Sequence, residues 1–305
     1  MIRWLPALVA FFVVVGCSPR ESSVQKPEAA AVEDLTFTFQ RQKDPAKLKD
    51  DADLLGRELS KDLGLPVNVV IPTSYGATVQ ALISKRADVA MLSSLPYLLA
   101  KQETEVEILL VEKRKGRTSY DSVFIVKADS PYQSLSDLKG KRMAFTSPTS
   151  GSGYVFPLGH LIQQGFFEAG QKPDTFFGKA FFAGGYDQAL RSILRGQADI
   201  AAVSDYVMEG DSADKYLTAD ERSKLRILTR VPGVPTHLIA VRKDLPADLK
   251  KEIRAAIKKI SETQPELLSD LYGTAEFVAA GEEHVAPTEE ALNRTGLQRR
   301  EVVEK

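Results

Sequence analysis

The chain has 305 residues, of which 27% are charged, and its formal net charge is −1. This length suits two modest lobes or one large α/β domain. The nearly neutral charge balance excludes the basic surface that binding to nucleic acid requires, so no nucleic-acid partner is expected. An anionic ligand of this protein must therefore be held by local dipoles rather than by an overall positive charge.

The N-terminal segment has the pattern of an export signal. Arg3 is followed by the apolar run Leu5–Val15, which is too short to cross a bilayer comfortably, and then by a small-residue cleavage point before Cys17. The position of Cys17 resembles that of the acylated cysteine in bacterial lipoproteins. Residues 1–16 are therefore predicted to be a signal peptide and residues 17–33 a flexible tether that begins at the lipidated Cys17. A plain secretory signal is the alternative.

Short apolar strands alternate with amphipathic helices from about Leu35 to Leu292, which predicts an α/β fold with largely parallel sheets. The lysine- and glutamate-rich helical pair at 246–271 is predicted to cover the first lobe, and the polar tail after Leu292 to fray. The first predicted elements are a strand at 35–39, a helix at 44–63, a strand at 67–71, a helix at 76–85 and a strand at 89–92.

A weak internal repeat indicates two similar lobes. Gln80-Ala-Leu precedes Arg86-Ala-Asp-Val-Ala90, and Gln188-Ala-Leu precedes Gln197-Ala-Asp-Ile-Ala201. Each copy is predicted to be a helix that leads into a buried strand with a polar loop at its end. Ligands of open α/β sheets bind beyond the carboxyl ends of strands. The alternative is that the two helix–strand sequences are similar by chance.

Two β-rich segments, 121–127 and 237–242, are predicted to carry the chain between the lobes. The first lobe is then expected to comprise residues 34–122 and 236–305, and the second lobe residues 123–235.

The segment Thr146–Tyr154 is rich in hydroxyl groups and glycine, and it follows an apolar strand pattern. A helix is predicted to begin just beyond Ser152, because Pro157 is tolerated only near a helix start. Backbone N–H groups, serine hydroxyls and the positive end of the helix dipole would converge there, as a small oxyanion requires. An ordinary polar capping turn is the alternative.

With these pieces in place, the sequence resembles the substrate-binding lipoproteins of phosphate, phosphite and phosphonate ABC transporters. The resemblance covers nearly all of the mature chain, and its motifs are Tyr75-x-Ala77, Tyr120–Pro131, Ser134–Lys141 and Ser147–Pro157. It implies a type II periplasmic-binding-protein fold, in which two Rossmann-like lobes joined by a two-strand hinge close over the ligand. It also implies an ABC permease as partner, attachment to the cell envelope membrane through Cys17, and no cofactor.

The resemblance also implies ligand-binding residues. The family's serine-rich turn falls on Ser150, Gly151, Ser152, Gly153 and Tyr154. The first-lobe tyrosine falls on Tyr75, the hinge tyrosine on Tyr120 and the acidic contact on Asp205. The predicted set further contains Ser93, Ser94 and Tyr186. Two positions depart from the family pattern, because Gly151 stands in place of a threonine and Tyr186 in place of a frequent histidine.

Asp205 is predicted to select a protonated oxyanion or an aminoalkylphosphonate, since its carboxylate repels sulfate, which carries no proton at neutral pH. The alternative is that Asp205 caps the helix that follows it. Four other tyrosines are predicted to be packing or surface residues, namely Tyr97, Tyr132, Tyr206 and Tyr216.

The predicted function is capture of a phosphorus oxyanion or small alkylphosphonate for import. A sensory lipoprotein that presents its ligand to a receptor kinase is one alternative, and an enzyme similar to thiamine-precursor synthases is another. No catalytic residue is predicted, because His160, His237 and His284 stand far apart and show no zinc-binding spacing. A metal site is not expected either.

Overall fold

The computed structural model describes Met1 and residues 32–39, 45–72, 75–210, 213–298 and 301–302, without the side chains of residues 45–47 and 75. Cys17, the tether up to residue 31 and, apart from Met1, the predicted signal peptide lie outside the described residues. Every element below belongs to Val32–Lys305, which is one compact unit by its contacts. No helix in the described ranges is both long and apolar enough to cross a membrane.

The strands are β1 (Leu35–Phe39), β2 (Val67–Val70), β3 (Val89–Leu92), β4 (Val106–Glu112), β5 (Ser119–Lys127), β6 (Arg142–Phe145), β7 (Lys179–Phe182), β8 (Ile200–Ser204), β9 (Leu225–Pro235), β10 (Leu238–Arg242) and β11 (Phe277–Val278). The α-helices are α1 (Pro45–Leu63), α2 (Tyr75–Ile83), α3 (Ser94–Glu103), α4 (Phe156–Gln163), α5 (Tyr186–Leu194), α6 (Ala219–Ser223), α7 (Ala247–Thr263), α8 (Pro265–Tyr272) and α9 (Ala286–Thr295). The elements predicted before residue 93 are therefore confirmed in type and order.

The strands form two mixed sheets, with the orders β11-β4-β10-β3-β1-β2 and β7-β6-β8-β5-β9. β1 pairs in parallel with β2 and β3, and β6 with β7 and β8. The pairs that involve β4, β5, β9, β10 and β11 are antiparallel. The α/β fold class is confirmed. The expectation of largely parallel sheets was wrong, because β5 and β10, which adjoin the crossings between the sheets, run against their neighbours.

The internal repeat corresponds to equivalent parts of the two sheets. α2 leads into β3 and α5 into β8, and each of these strands lies between one parallel and one antiparallel neighbour. The carboxylate of Asp88 accepts a hydrogen bond from the backbone N–H of Thr36 at 2.7 Å, and Asp199 accepts one from Arg142 at 2.8 Å. The repeated aspartate thus fastens each strand to its parallel neighbour, which confirms the prediction of two similar lobes.

Apolar faces of three helices cover one side of the first sheet. Leu55 and Leu59 of α1, together with Ile253 and Ile260 of α7, are almost completely buried. They belong to one cluster with residues of β1, β10 and α8. Because α7 and α8 span the predicted 246–271 helical pair, its predicted covering role is confirmed.

Two chain segments cross between the sheets, and they hydrogen-bond to each other. The first leads from β4 to β5, and the second leads from β9 to β10. Thr236 of the second segment donates its backbone N–H to the carbonyl of Thr118 at 3.0 Å. Its hydroxyl group donates to the carbonyl of Glu112 at 2.5 Å. The backbone of the two crossings is therefore held together by direct contacts.

A buried group of charges lies at these crossings. The completely buried carboxylate of Glu112 contacts the Arg114 guanidinium at 2.5 Å and the His237 ring at 3.1 Å. Burial disfavours the ionised form of Glu112, but the hydrogen bond from His237 and the charge of Arg114 outweigh it, so its pKa is lowered. The carboxylate is therefore charged at neutral pH and depends on its two partners.

The C-terminal helix adds a third connection between the two sheets. α9 packs against α4 and against the turn at 151–155, while Thr288 on α9 shares a hydrogen bond of 2.6 Å with Ser94. Leu292 and Val302 are buried. The expectation that the tail after Leu292 frays was therefore wrong for the described residues. The residue limits of the two lobes stay a prediction.

Substitution Glu112→Gln tests the buried charge group. The amide leaves Arg114 without its carboxylate, so we expect the free energy of unfolding at neutral pH to fall by about 3 kcal/mol. Because the folded pKa of Glu112 is lowered, this stabilisation is present above the ordinary value of 4.5 and is lost as the pH falls. Urea denaturation of both proteins from acidic to neutral pH measures the difference.

Glu105→Gln is the matched control. Glu105 pairs with Lys243 at 3.0 Å, and both side chains are more than half exposed. Removal of this pair is expected to change the free energy of unfolding by no more than about 0.5 kcal/mol. If both variants lost the same small amount of unfolding free energy, the buried charge group would stabilise the fold no more than a surface ion pair does.

Candidate functional site

The polar turn that follows β6 is folded around Ser150. Its hydroxyl group accepts a hydrogen bond from the Gly153 N–H at 2.9 Å, and its carbonyl accepts one from the Val155 N–H at 3.1 Å. The second bond spans five residues, so Gly151–Val155 form one wide π-type helical turn. Turns of this kind occur often at functional sites.

Pro157 leaves one carbonyl of the turn without its usual helical donor. Because proline has no N–H, it cannot donate to the carbonyl of Gly153 as an α-helix requires. That carbonyl instead accepts the backbone N–H of Thr146 at 3.2 Å. The helix predicted to begin just beyond Ser152 does begin there, but its first turn is a π turn and regular α4 starts at Phe156.

The two glycines of the turn differ in the space around them. A Cβ atom on Gly153 would lie 1.8 Å from Oγ1 of Thr146 and 2.8 Å from its Cβ, which no side chain tolerates. The nearest neighbour of a Cβ on Gly151 is a methyl group of Val234 at 3.8 Å. Gly153 is therefore needed for the fold of the turn, whereas Gly151 leaves room for a side chain.

Three hydroxyl groups meet at this turn. Oγ of Ser152 lies 2.7 Å from Oγ of Ser204 and 2.9 Å from Oη of Tyr186, and Ser204 donates to Tyr186 at 2.9 Å. We call these three residues the hydroxyl triangle. Each hydroxyl group donates one hydrogen bond and accepts up to two. The three groups can therefore turn from one another toward an anion.

Elements of the second sheet position the hydroxyl triangle. Ser204 is the last residue of β8, and its cross-strand partner on β5 is Ser122. The hydroxyl group of Ser122 donates to the carbonyl of Ser152 at 2.6 Å. Tyr186 is the first residue of α5. A strand end and two helix starts thus converge on one point, as expected for a ligand site of an α/β sheet.

The ring of Tyr186 packs with three further tyrosines. We call these four residues the tyrosine cluster, namely Tyr120, Tyr186, Tyr206 and Tyr216. The ring of Tyr206 lies 5.2 Å from Tyr120, 6.2 Å from Tyr186 and 6.3 Å from Tyr216, measured between ring centroids. Burial, helped by the nearby Tyr186, raises the pKa of both Tyr120 and Tyr206 well above the ordinary value. Both phenols therefore stay neutral and keep their protons as hydrogen-bond donors.

One cation reaches the tyrosine cluster from the first crossing segment. The guanidinium carbon of Arg114 lies 4.4 Å from the centroid of the Tyr206 ring, which is cation–π distance. This contact joins the crossing to the second lobe.

Several predicted site residues come together in the structure, namely Tyr120, Ser150, Ser152, Gly153 and Tyr186. Sequence reasoning did not select Ser122, Ser204, Tyr206 or Arg114. Ser204 carried a usable signal, because it occupies the same place in the internal repeat as Ser93. No sequence pattern pointed to the other three, whose positions depend on strand register and on the path of the crossing.

Two predicted residues have other contacts. The hydroxyl group of Ser94 hydrogen-bonds to Thr288 on α9. The ring of Tyr154 packs on Phe145 and Phe182 at 5.0 and 4.9 Å, and burial raises the pKa of Tyr154 to about 12. The structure thus shows a bridging hydrogen bond for Ser94 and a packing contact for Tyr154. Their roles as ligand contacts stay predictions.

The acidic residue lies at the edge of the site. The half-buried carboxylate of Asp205 accepts hydrogen bonds from the backbone of Asp121 and of Tyr206. Burial raises the pKa of Asp205, and the negative charge of Asp121 acts in the same direction. Ser93 is the N-cap residue of α3. Tyr75 is the first residue of α2, and its side chain is not among the parts that the structure describes.

Two α/β sheets joined by crossing segments, with a site at strand ends, define the type II periplasmic-binding-protein fold. The chain belongs to the family described as "ABC transporter, phosphonate, periplasmic substrate-binding protein", whose sequence profile matches residues 37–285. The predicted family is thereby confirmed.

Individual relatives agree with this assignment. The chain is 27% identical over 203 residues to the phosphate-import protein PhnD of Mycolicibacterium smegmatis, covering 64% of this chain and 63% of that protein. It is 25% identical over 239 residues to the phosphonates-binding periplasmic protein of Escherichia coli, covering 76% and 68%. The match thus spans less than two thirds of the length of the mycobacterial relative.

Solved structures show the same fold. PhnD1 of Prochlorococcus marinus, in complex with methylphosphonate, superposes with a TM-score of 0.72 at 22% identity. The superposition covers 86% of this chain and 99% of PhnD1.

Substitutions Gly153→Ala and Gly151→Ala form a matched pair for the turn. We expect Gly153→Ala to lower the free energy of unfolding by about 1–3 kcal/mol, because its methyl group overlaps Thr146. Gly151→Ala should change it by less than about 1 kcal/mol. Thermal unfolding of both variants measures this, and equal melting temperatures would contradict the described packing.

Proposed function

We propose that this protein is the substrate-binding component of an ABC importer, and that it captures a phosphorus oxyanion at the hydroxyl triangle. Phosphite, phosphate and small alkylphosphonates are the proposed ligands. The observation that carries the proposal is the meeting of three hydroxyl groups within 2.9 Å of one another at the first turn leading into α4. Membership of the phosphonate-binding family supports it.

The names of the relatives support the same class of ligand. One relative is named for phosphate import, a second for phosphonate binding, and the structural neighbour holds methylphosphonate. These ligands share a tetrahedral phosphorus with two or more oxygens. A cluster of small neutral donors suits such a group better than it suits a large or apolar ligand.

The energetics favour a site made of donors. An oxyanion that leaves water must replace its hydration with several hydrogen bonds, and each bond to a charged group contributes about 1.5–3 kcal/mol. The positive end of the α4 dipole lies at the same place and stabilises negative charge further. After the costs of desolvation and closure, a dissociation constant near micromolar, about −8 kcal/mol, is expected.

Binding rather than catalysis is proposed for the site. A nucleophilic serine needs an adjacent base, which is usually a histidine. In the part of the chain that the structure describes, the side-chain partners of the Ser152 hydroxyl group are the hydroxyl groups of Ser204, Tyr186 and Tyr120. Because hydroxyl groups are weak bases, these contacts favour a hydrogen-bonding role.

Export and anchoring complete the proposal. Periplasmic binding proteins of importers work outside the cytoplasm, and the family is periplasmic. The signal pattern before Cys17 supports export followed by lipid attachment to its sulfur. Such an anchor would hold the protein near the permease subunits that receive its ligand.

Calorimetric titration of the purified protein tests this function directly. We expect phosphite, phosphate, methylphosphonate or 2-aminoethylphosphonate to bind with a dissociation constant near micromolar or below, and sulfate to give no heat of binding. Silence from all four phosphorus compounds would contradict the proposal.

Substitution Ser152→Ala in the same assay locates the binding site. Loss of one hydrogen bond to the anion should weaken binding by about 10- to 100-fold. Ser223→Ala, at the exposed end of α6, is the control and should bind as the wild type does. Unchanged affinity in Ser152→Ala would place the site elsewhere.

A further inference from the structure

Arg114 occupies an unusual position in the first crossing segment. Its backbone pairs with Arg117 in a tight hairpin, and its side chain, only 14% exposed, turns inward. One terminal nitrogen of the guanidinium donates to Glu112 at 2.5 Å. The flat face of the same group lies on the ring of Tyr206. The side chain is thus fixed on two sides.

Two polar atoms of this stacked pair lack a hydrogen-bond partner among the residues that the structure describes. They are Nε of Arg114 and the hydroxyl oxygen of Tyr206, and both atoms are buried. Buried polar groups in folded proteins nearly always have a partner. The Nε–H of Arg114 can only donate, so its missing partner is an acceptor, and the hydroxyl group of Tyr206 can donate to an acceptor as well. Beside a guanidinium, the acceptor that fits best is an anionic oxygen.

The pair adjoins the site already described. The ring of Tyr206, which is 7% exposed, contacts the rings of Tyr120 and Tyr186. The hydroxyl group of Tyr186 is one corner of the hydroxyl triangle. Along the chain, Tyr206 follows Ser204, another corner, by two residues. The stacked pair is therefore in contact with a tyrosine that forms part of the triangle, which brings the unpartnered donors toward the same site.

The charged groups around Arg114 do not contact its Nε–H. Glu112 is the carboxylate in contact with the guanidinium, and that carboxylate is shared with His237. The other groups that influence Arg114 are the phenols of Tyr206 and Tyr216. Glu112 therefore neutralises one side of the guanidinium, while the Nε–H remains uncommitted.

We propose that Arg114 and Tyr206 form a second contact for the bound phosphorus oxyanion, in which the Nε–H and the phenol O–H donate to one of its oxygens. This inference rests on the proposed function and adds to it the cationic contact of the site. Although Glu112 neutralises part of its charge, the Arg114 guanidinium adds a cationic donor to a site otherwise made of neutral hydroxyl groups. It also joins the crossing segment to the ligand, because Arg114 lies between β4 and β5.

Substitution Tyr206→Phe is the decisive test. It removes the unpartnered hydroxyl group but keeps the ring on which Arg114 stacks, so the melting temperature of the ligand-free protein should stay equal or rise. Affinity for the phosphorus anion that the wild type binds most tightly, among phosphite, phosphate and methylphosphonate, should fall by about tenfold or more. A purely structural role would not separate these two readouts.

Tyr272→Phe is the matched control. Tyr272 has the same 7% exposure as Tyr206 but lies in the apolar cluster under α7 and α8. Its substitution should leave the affinity unchanged. Arg114→Lys keeps a charge for Glu112 but lacks the Nε–H, and it should also weaken binding by about tenfold.

The outcomes separate this inference from the proposed function. A wild-type protein that binds no phosphorus anion overturns both. If the wild type binds and Tyr206→Phe binds equally well, the proposed function stands and the second contact is wrong, whatever Arg114→Lys does. Weakened binding by Tyr206→Phe with an undiminished melting temperature supports the second contact.

Discussion

An anion that leaves water must exchange its hydration for hydrogen-bond donors that are already in place. By our proposal, the structure around Ser152 meets this requirement. Ser150 closes the turn, the lack of an N–H on Pro157 leaves the Gly153 carbonyl free to accept from Thr146, and Gly153 allows Thr146 to pack directly against the turn. The result is a turn that holds one serine hydroxyl group at the start of a helix, where the backbone dipole is positive.

The second sheet supplies the remaining donors through its register. Ser122 and Ser204 face each other on β5 and β8, and each holds Ser152 through a different atom. A shift of one strand by one residue would turn its serine side chain to the opposite face of the sheet and separate the pair. The hydroxyl triangle therefore depends on the strand pairing of the whole lobe. If the triangle binds the anion as proposed, its strand and helix supports are in place beforehand, which lowers the entropy cost of binding.

The crossings between the sheets carry their own electrostatic constraint. Glu112 is buried and charged, and it is stabilised by Arg114 from one crossing and His237 from the other. Arg114 also contacts the tyrosine cluster of the second lobe. The same guanidinium thus connects a buried carboxylate, an aromatic wall and, by our proposal, the ligand. Movement at the crossings and occupancy of the site would then be physically coupled.

Much of the fold was predictable because its signals are local. Alternating apolar residues, the glycine stop after Leu63 and the repeated aspartates define elements whose order the structure confirms. The turn before α4 was predictable for the same reason, since its glycines, serines and proline are contiguous. The sheet directions were mispredicted, because antiparallel pairing by β5 and β10 is decided by where the chain crosses.

The other parts of the site depend on contacts between distant residues. Ser122 joins the site through its register with Ser204, and Tyr206 through packing on Tyr120 and Tyr186. Arg114 lies in a basic hairpin whose sequence resembles an ordinary exposed turn. The burial of Val302 likewise depends on α9 packing against α4, which the polar composition of the tail did not indicate.

A crystal structure of the protein with a bound phosphorus anion, methylphosphonate or the tightest ligand from titration, is the most direct test of this account. If the hydroxyl triangle holds the anion, the Ser152–Ser204 and Ser152–Tyr186 hydrogen bonds are replaced by bonds to ligand oxygens, at about 2.6–3.0 Å. A ligand bound elsewhere, with the three hydroxyl groups still bonded to one another, would contradict it.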